Sequence, residues 1–103
     1  MVLTDLQKKV FEYAKAGDTE KVSVLRFLIS ALKNKEIEFR VEGKQLSVED
    51  ATKVTLKQIK QRKESVEIYK NAGREDLYKK EARELEILEE LLEFISAMSD
   101  SLE

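Results

Sequence analysis

Residues 57–88 read KQIKQRKESVEIYKNAGREDLYKKEARELEIL, and their pattern decides the fold. Ala72-Gly73 splits the stretch into two amphipathic runs. A glycine after such a run is the residue that a left-handed helix C-cap favours. Only one residue separates the two runs, so the chain either reverses into a tight antiparallel hairpin or kinks. Gly73 supplies the reversal, which favours the hairpin.

The charges support it. From Ala51 to Lys63 there are five bases and no acid: Lys53, Lys57, Lys60, Arg62 and Lys63. From Glu84 to Glu93 there are five acids and no base: Glu84, Glu86, Glu89, Glu90 and Glu93. Reversal at Gly73 sets Lys60 level with Glu86, Lys57 with Glu89 and Lys53 with Glu93. Each exposed pair adds a few tenths of a kcal/mol, on the order of 0.3, and together they disfavour slipped registers. The same basic block also reads as a phosphate-contacting face, because Lys and Arg supply the sequence-independent part of nucleic-acid binding. The two readings are compatible.

Outward from the hairpin, Gly17 and Gly43 divide the rest of the chain. The pattern predicts helix 1 over Asp5–Ala16, opened by Thr4 with Gln7, and aligning Leu6, Val10, Tyr13 and Ala14. Helix 2 is expected over Thr19–Glu42 behind an Asp18 cap. Its segment Val22–Leu32 is apolar almost all round, as in a central helix packed on more than one face. Arg26 interrupts it, with a stem that packs and a head that snorkels out. Ser47 with Asp50 forms a capping box for helix 3, Val48–Ala72. Helix 4 is expected over Arg74–Met98, with Leu85, Leu88, Leu92 and Ile95 on one stripe. No run alternates with period two. The fold class is therefore all-α: one domain, residues 1–103, of four helices, with a long central helix 2 and a C-terminal antiparallel hairpin of helices 3 and 4.

Arg62 falls on the apolar stripe of helix 3, which runs through Val48, Ala51, Leu56, Ile59, Val66 and Tyr69. Such a break reads as an ion pair with a helix 4 carboxylate or as a partner site. At the far end, Leu91, Leu92, Phe94 and Ile95 lie close together, followed by Leu102. Leu91 and Phe94 flank the stripe and need helix 1 as cover. Without that cover they form an exposed patch for a second copy or another partner.

Composition limits the chemistry. Apolar residues make up 42% of the 103, enough for a packed core, and charged residues reach 39%. The net charge of −2 gives no global attraction to nucleic acid or anionic lipid. Histidine and cysteine are absent, which removes the commonest general base, the commonest metal ligand and the thiolate nucleophile. Glu86, Glu89, Glu90 and Glu93 recur at i, i+3, i+4 and i+7, but di-metal bundles pair such acids with histidines. They read as a solvated face. No metal, cofactor or catalytic residue is assigned. The N-terminal MVLTDLQKK does not resemble a signal peptide, and no run approaches the ~18 apolar residues of a membrane span. The expected location is the cytoplasm.

Two segments carry a family resemblance: GDTEKVSVLRFLISALKNKEIEF, Gly17–Phe39, and IKQRKESVEIYKNAGREDLYKKEARELEIL, Ile59–Leu88. They resemble the YqeY-like family, related to the C-terminal tail of GatB, a component of the aspartyl/glutamyl-tRNA amidotransferase. The resemblance spans about Leu6 to Glu90. It implies a helical N-terminal domain and, in typical members, a smaller helical C-terminal one. Here the segment after E-L-E-I-L reads EELLEFISAMSDSLE, without the usual Tyr-Leu-Pro turn, so the smaller domain is expected to be missing. The function this implies is a non-catalytic module that contacts tRNA or an amidotransferase-related, tRNA-handling protein. Candidate contacts are Lys57, Lys60, Arg62, Lys63 and Arg74. The rival is a protein–protein or homodimerisation module using Leu91, Phe94 and Ile95.

Overall fold

A computed structural model describes residues 2–98 and contains four helices: α1 (Val2–Lys15), α2 (Thr19–Val41), α3 (Val48–Asn71) and α4 (Glu75–Ser96). There is no strand among the described residues. Helices α3 and α4 form the most extensive contact, α1 packs on α2, and α2 also touches α3 and α4. Helix α2 is thus the central element, as its apolar segment implies.

The hairpin turn is built by the backbone. Ala72 caps α3, and Gly73 follows with φ 71°. The Gly73 N–H donates to the Lys70 carbonyl at 3.2 Å and the Arg74 N–H to the Tyr69 carbonyl at 2.9 Å. This is a Schellman pair, which satisfies two carbonyls that the helix end leaves free. The same pair closes α2 around Gly43, where the Lys44 N–H donates to the Phe39 carbonyl at 2.8 Å.

Local signals also open two helices. Asp18 Oδ1 accepts from the Lys21 N–H at 3.1 Å at the start of α2. At α3, the Ser47 hydroxyl accepts from the Asp50 N–H at 3.0 Å, while Asp50 Oδ2 accepts from the Ser47 N–H at 3.1 Å and hydroxyl at 2.8 Å. Those bonds from Ser47 hold the Asp50 carboxyl below its ordinary value. Ser47→Ala is expected to cost about 1 kcal/mol of stability. Urea unfolding checks it; an unchanged midpoint would mean the box carries nothing.

Three expectations about helix faces need correction. Helix α1 starts by Val2, so Thr4 lies inside it and is not its cap. Val2 sits one turn before Leu6, and both are buried, so packing draws the first turn into the helix; Ala14 is exposed instead. In α3, Thr55 and Gln58 are buried beside Ile59, whereas Leu56 points outward. In α4 the buried set is Ile87, Leu88, Leu91 and Ile95, with Leu85 and Leu92 only part-covered at its edge. Helix α4 has two neighbours, α3 and α2. Its buried arc is accordingly rotated toward Ile87 and Leu91.

The expected association patch fails for the same reason. Leu91 and Ile95 are 0% exposed within the chain's own fold. Phe94 is half-buried, and the Lys9 Nζ of α1 lies 4.4 Å from its ring centroid. Leu91 and Ile95 are thus enclosed where α4 meets α3 and α2, and from α1 Lys9 lies over Phe94. Leu102, the last member of the patch, lies outside the described residues.

Candidate nucleic-acid interface

The hairpin register follows the expected level, but a different pair carries it. Arg62 Nε lies 3.3 Å from Glu84 Oε1, and Arg62 Nη1 lies 3.6 Å from Glu81 Oε1. Arg62–Glu84 is the next step in the series that contains Lys60–Glu86. Glu86 itself turns to Arg83 on its own helix, at 2.9 Å. Lys60–Glu86, Lys57–Glu89 and Lys53–Glu93 form no ion pair.

The reason is helical rotation. Lys53, Lys57 and Lys60 recur at i, i+4 and i+7 and share one face of α3. Arg62 sits two residues on, on the side that meets α4. All four lysines of the block, with Lys63 at the flank, are exposed. No acid among the described residues closes an ion pair with any of them. Glu64 ends the run of bases.

The five sequence candidates therefore separate. Lys57, Lys60 and Lys63 stand on open surface. Arg62 is committed to the hairpin, 27% exposed between two carboxylates, with its carbon Cζ 5.8 Å from the Phe27 ring centroid. Its Nε is enclosed and lacks the alignment of a hydrogen bond, although Glu84 is close. Arg74, at the N-cap of α4, reaches Asp76 at 3.5 Å. It lies roughly 25 Å along the helix from Lys57, taking 1.5 Å per residue, so it is not part of the lysine row.

Beside the row is a feature that the sequence did not reveal. The cleft between α2 and α3 is lined by Lys35, Phe39, Asp50, Lys53, Val54 and Lys57, with a volume of about 320 Å³. The Nζ atoms of Lys35 and Lys44 lie 5.9 and 5.8 Å from the Phe39 ring centroid. Two lysines thus flank the Phe39 ring, and Lys53 and Lys57 line the cleft beside it. Only the spacing of Lys35 and Phe39, one turn apart, was visible in the sequence; the approach of Lys53 and Lys57 depends on how α2 and α3 pack.

The profile of the Yqey-like protein family matches residues 3–97, nearly the full set of packed helices. The chain belongs to the YqeY-like family. It is 31% identical over 99 residues to "Altered inheritance of mitochondria protein 41, mitochondrial" of Lachancea thermotolerans. That alignment covers 96% of this chain and 52% of the relative, so the chain spans about half the length of the curated relative it matches. No solved structure matches it. Among the described residues, no helix of this YqeY-like chain is long and apolar enough to cross a membrane.

Proposed function

We propose that this YqeY-like chain is a non-catalytic helical module, related to the tRNA-dependent amidotransferases, that contacts tRNA phosphates. The observation that carries the reading is the row of exposed lysines on α3 that close no ion pair among the described residues. Its arrangement offers the sequence-independent electrostatic contact that phosphate backbones attract. Lys57, Lys60 and Lys63 are the contacts, joined by Lys53. Arg62 is not among them, because it serves the hairpin. Absence of His and Cys from the sequence favours binding over catalysis. A cytoplasmic location belongs to the same proposal, and imaging of a tagged full-length protein tests it.

Fluorescence anisotropy with bulk tRNA over a salt series tests the binding. The triple variant Lys57→Gln/Lys60→Gln/Lys63→Gln is expected to bind more weakly. Its slope of log affinity against log salt should fall by about one unit for each phosphate that the variant no longer engages. Absence of salt-dependent binding, or an unchanged slope, overturns the reading.

A second reading, a protein–protein module without a nucleic-acid role, has one observation in its favour. Phe27, Ile37 and Val41 are exposed along one side of α2, at 59%, 56% and 86%. Light scattering over a concentration series tests self-association through that side; a monomer whose tRNA binding survives Phe27→Ser and Ile37→Ser removes it.

A further inference from the structure

We infer that the cleft between α2 and α3 takes one unpaired nucleotide of a single-stranded nucleic acid, its base against Phe39 and its phosphates on Lys53 and Lys57. The inference rests on the reading of α3 as a phosphate-binding face and adds what kind of strand that face selects.

The cleft combines the two things such a strand needs, a flat apolar surface and fixed positive charge. The flat surface is Phe39. Its backbone is held at the end of α2, where its carbonyl accepts from the N–H groups of Glu42 at 3.0 Å and Lys44 at 2.8 Å. The ring is half-buried, so part of it faces the cleft. Lys35 and Lys44 hover at nearly 6 Å from its centroid, at the outer limit of a cation–π contact. Lysine is a point charge on a long flexible stem, and either head swings aside to admit a base while remaining close to its phosphate.

The acids nearby do not cancel this field evenly. Asp50 accepts two bonds from Ser47 and sits at the N-terminus of α3, where the helix dipole favours its charge. Glu38 is 3.4 Å from Lys35 and Glu42 is 3.6 Å from Lys44. Lys53 feels the Asp50 carboxylate within the cleft, but neither it nor Lys57, one turn and about 6 Å further along α3, closes an ion pair among the described residues, so both are open to anions of the ligand. The cleft's volume of about 320 Å³ suits a single base rather than a paired duplex. An acidic peptide would use the lysines but has no need of the ring.

Anisotropy with two labelled RNAs, a short oligoadenylate and a blunt-ended hairpin whose strands are joined by a polyethylene-glycol linker in place of a nucleotide loop, tests the inference on the whole chain. Wild type is expected to favour the oligoadenylate. Phe39→Leu should weaken oligoadenylate binding about 5- to 150-fold, the range for losing one stacked base, and leave the hairpin unaffected. Phe39→Tyr should restore it, and a circular dichroism melt confirms that each variant folds. Equal losses on both RNAs, no loss on either, or competition by polyglutamate as strong as by unlabelled oligoadenylate overturns the inference. Hairpin binding without a single-strand preference overturns it while the phosphate-binding reading stands. No RNA binding at all overturns both.

Discussion

Leu91→Asp is expected to unfold the domain rather than to disrupt an oligomer. Leu91 is 0% exposed and joins Ile87, Leu88 and Ile95 in the core that α4 shares with its neighbours. Truncation alone, as in Leu91→Ala, should cost about 2–5 kcal/mol, from the lost transfer of the side chain and the cavity left behind. Aspartate adds a buried carboxylate without a partner, which costs several kcal/mol more or forces its protonation. Domains of this size are stable by only about 5–15 kcal/mol. Circular dichroism should show lost helicity for Leu91→Asp and a lowered urea midpoint for Leu91→Ala. A folded, soluble Leu91→Asp would place the side chain on the surface after all, and revive the patch reading.

Arg62 carries the second large effect. Its guanidinium is the cation between Glu81 and Glu84, whose side chains are only 15% and 22% exposed. Arg62→Met keeps much of the stem's packing and leaves two carboxylates facing each other across one helical turn. The expected loss is about 1–3 kcal/mol near neutral pH, the scale for stranding partly buried polar groups. The loss should depend on pH in a stated direction. Burial raises the Glu84 carboxyl above its ordinary value, Arg62 opposes that rise, and Glu81 adds to it. Because the folded form holds the Glu84 proton more tightly than the unfolded form, its contribution to stability is complete below the ordinary carboxylate value. It is lost as pH rises through the raised one. Removing Arg62 takes away the opposing influence, so the penalty should shrink on acidification, from about pH 7 towards 4. Glu84→Gln removes the titrating group and should flatten the dependence in both backgrounds. Urea midpoints across that range check the prediction. A penalty from Arg62→Met that grows on acidification would show that the triad is not the source.

These two residues also mark how far periodicity reaches. Arg62 was legible as an anomaly, a cation on an apolar stripe, and pairing with α4 was one of the two readings left open for it. Leu91 was not legible. A helix packed against one neighbour buries one stripe, and the run Leu85, Leu88, Leu92, Ile95 describes that stripe. A helix packed against two buries a wider, rotated arc, and nothing local to α4 reports the second neighbour. The lysines show the same limit. Residue numbers set Lys60 level with Glu86, yet level is not rotation, and a shift of two positions around α3 separates the residue that meets α4 from those left in solvent.

The sequence by itself determined the four helices, the caps that open α2 and α3 and the reversal at Gly73, because those depend on neighbours within a few residues: Ser47 with Asp50, Asp18 with Lys21, a glycine free to take φ 71°. It also carried family membership, through the runs around Gly17–Phe39 and Ile59–Leu88, and bounded the chemistry by omitting His and Cys. Only the tertiary structure decided which cations are consumed and which are open, and that Phe39 of α2 shares a cleft with Lys53 and Lys57 of α3. Those outcomes depend on the rotation of each helix about its axis. Rotation is set by the summed burial of side chains from several helices at once, which no single segment encodes.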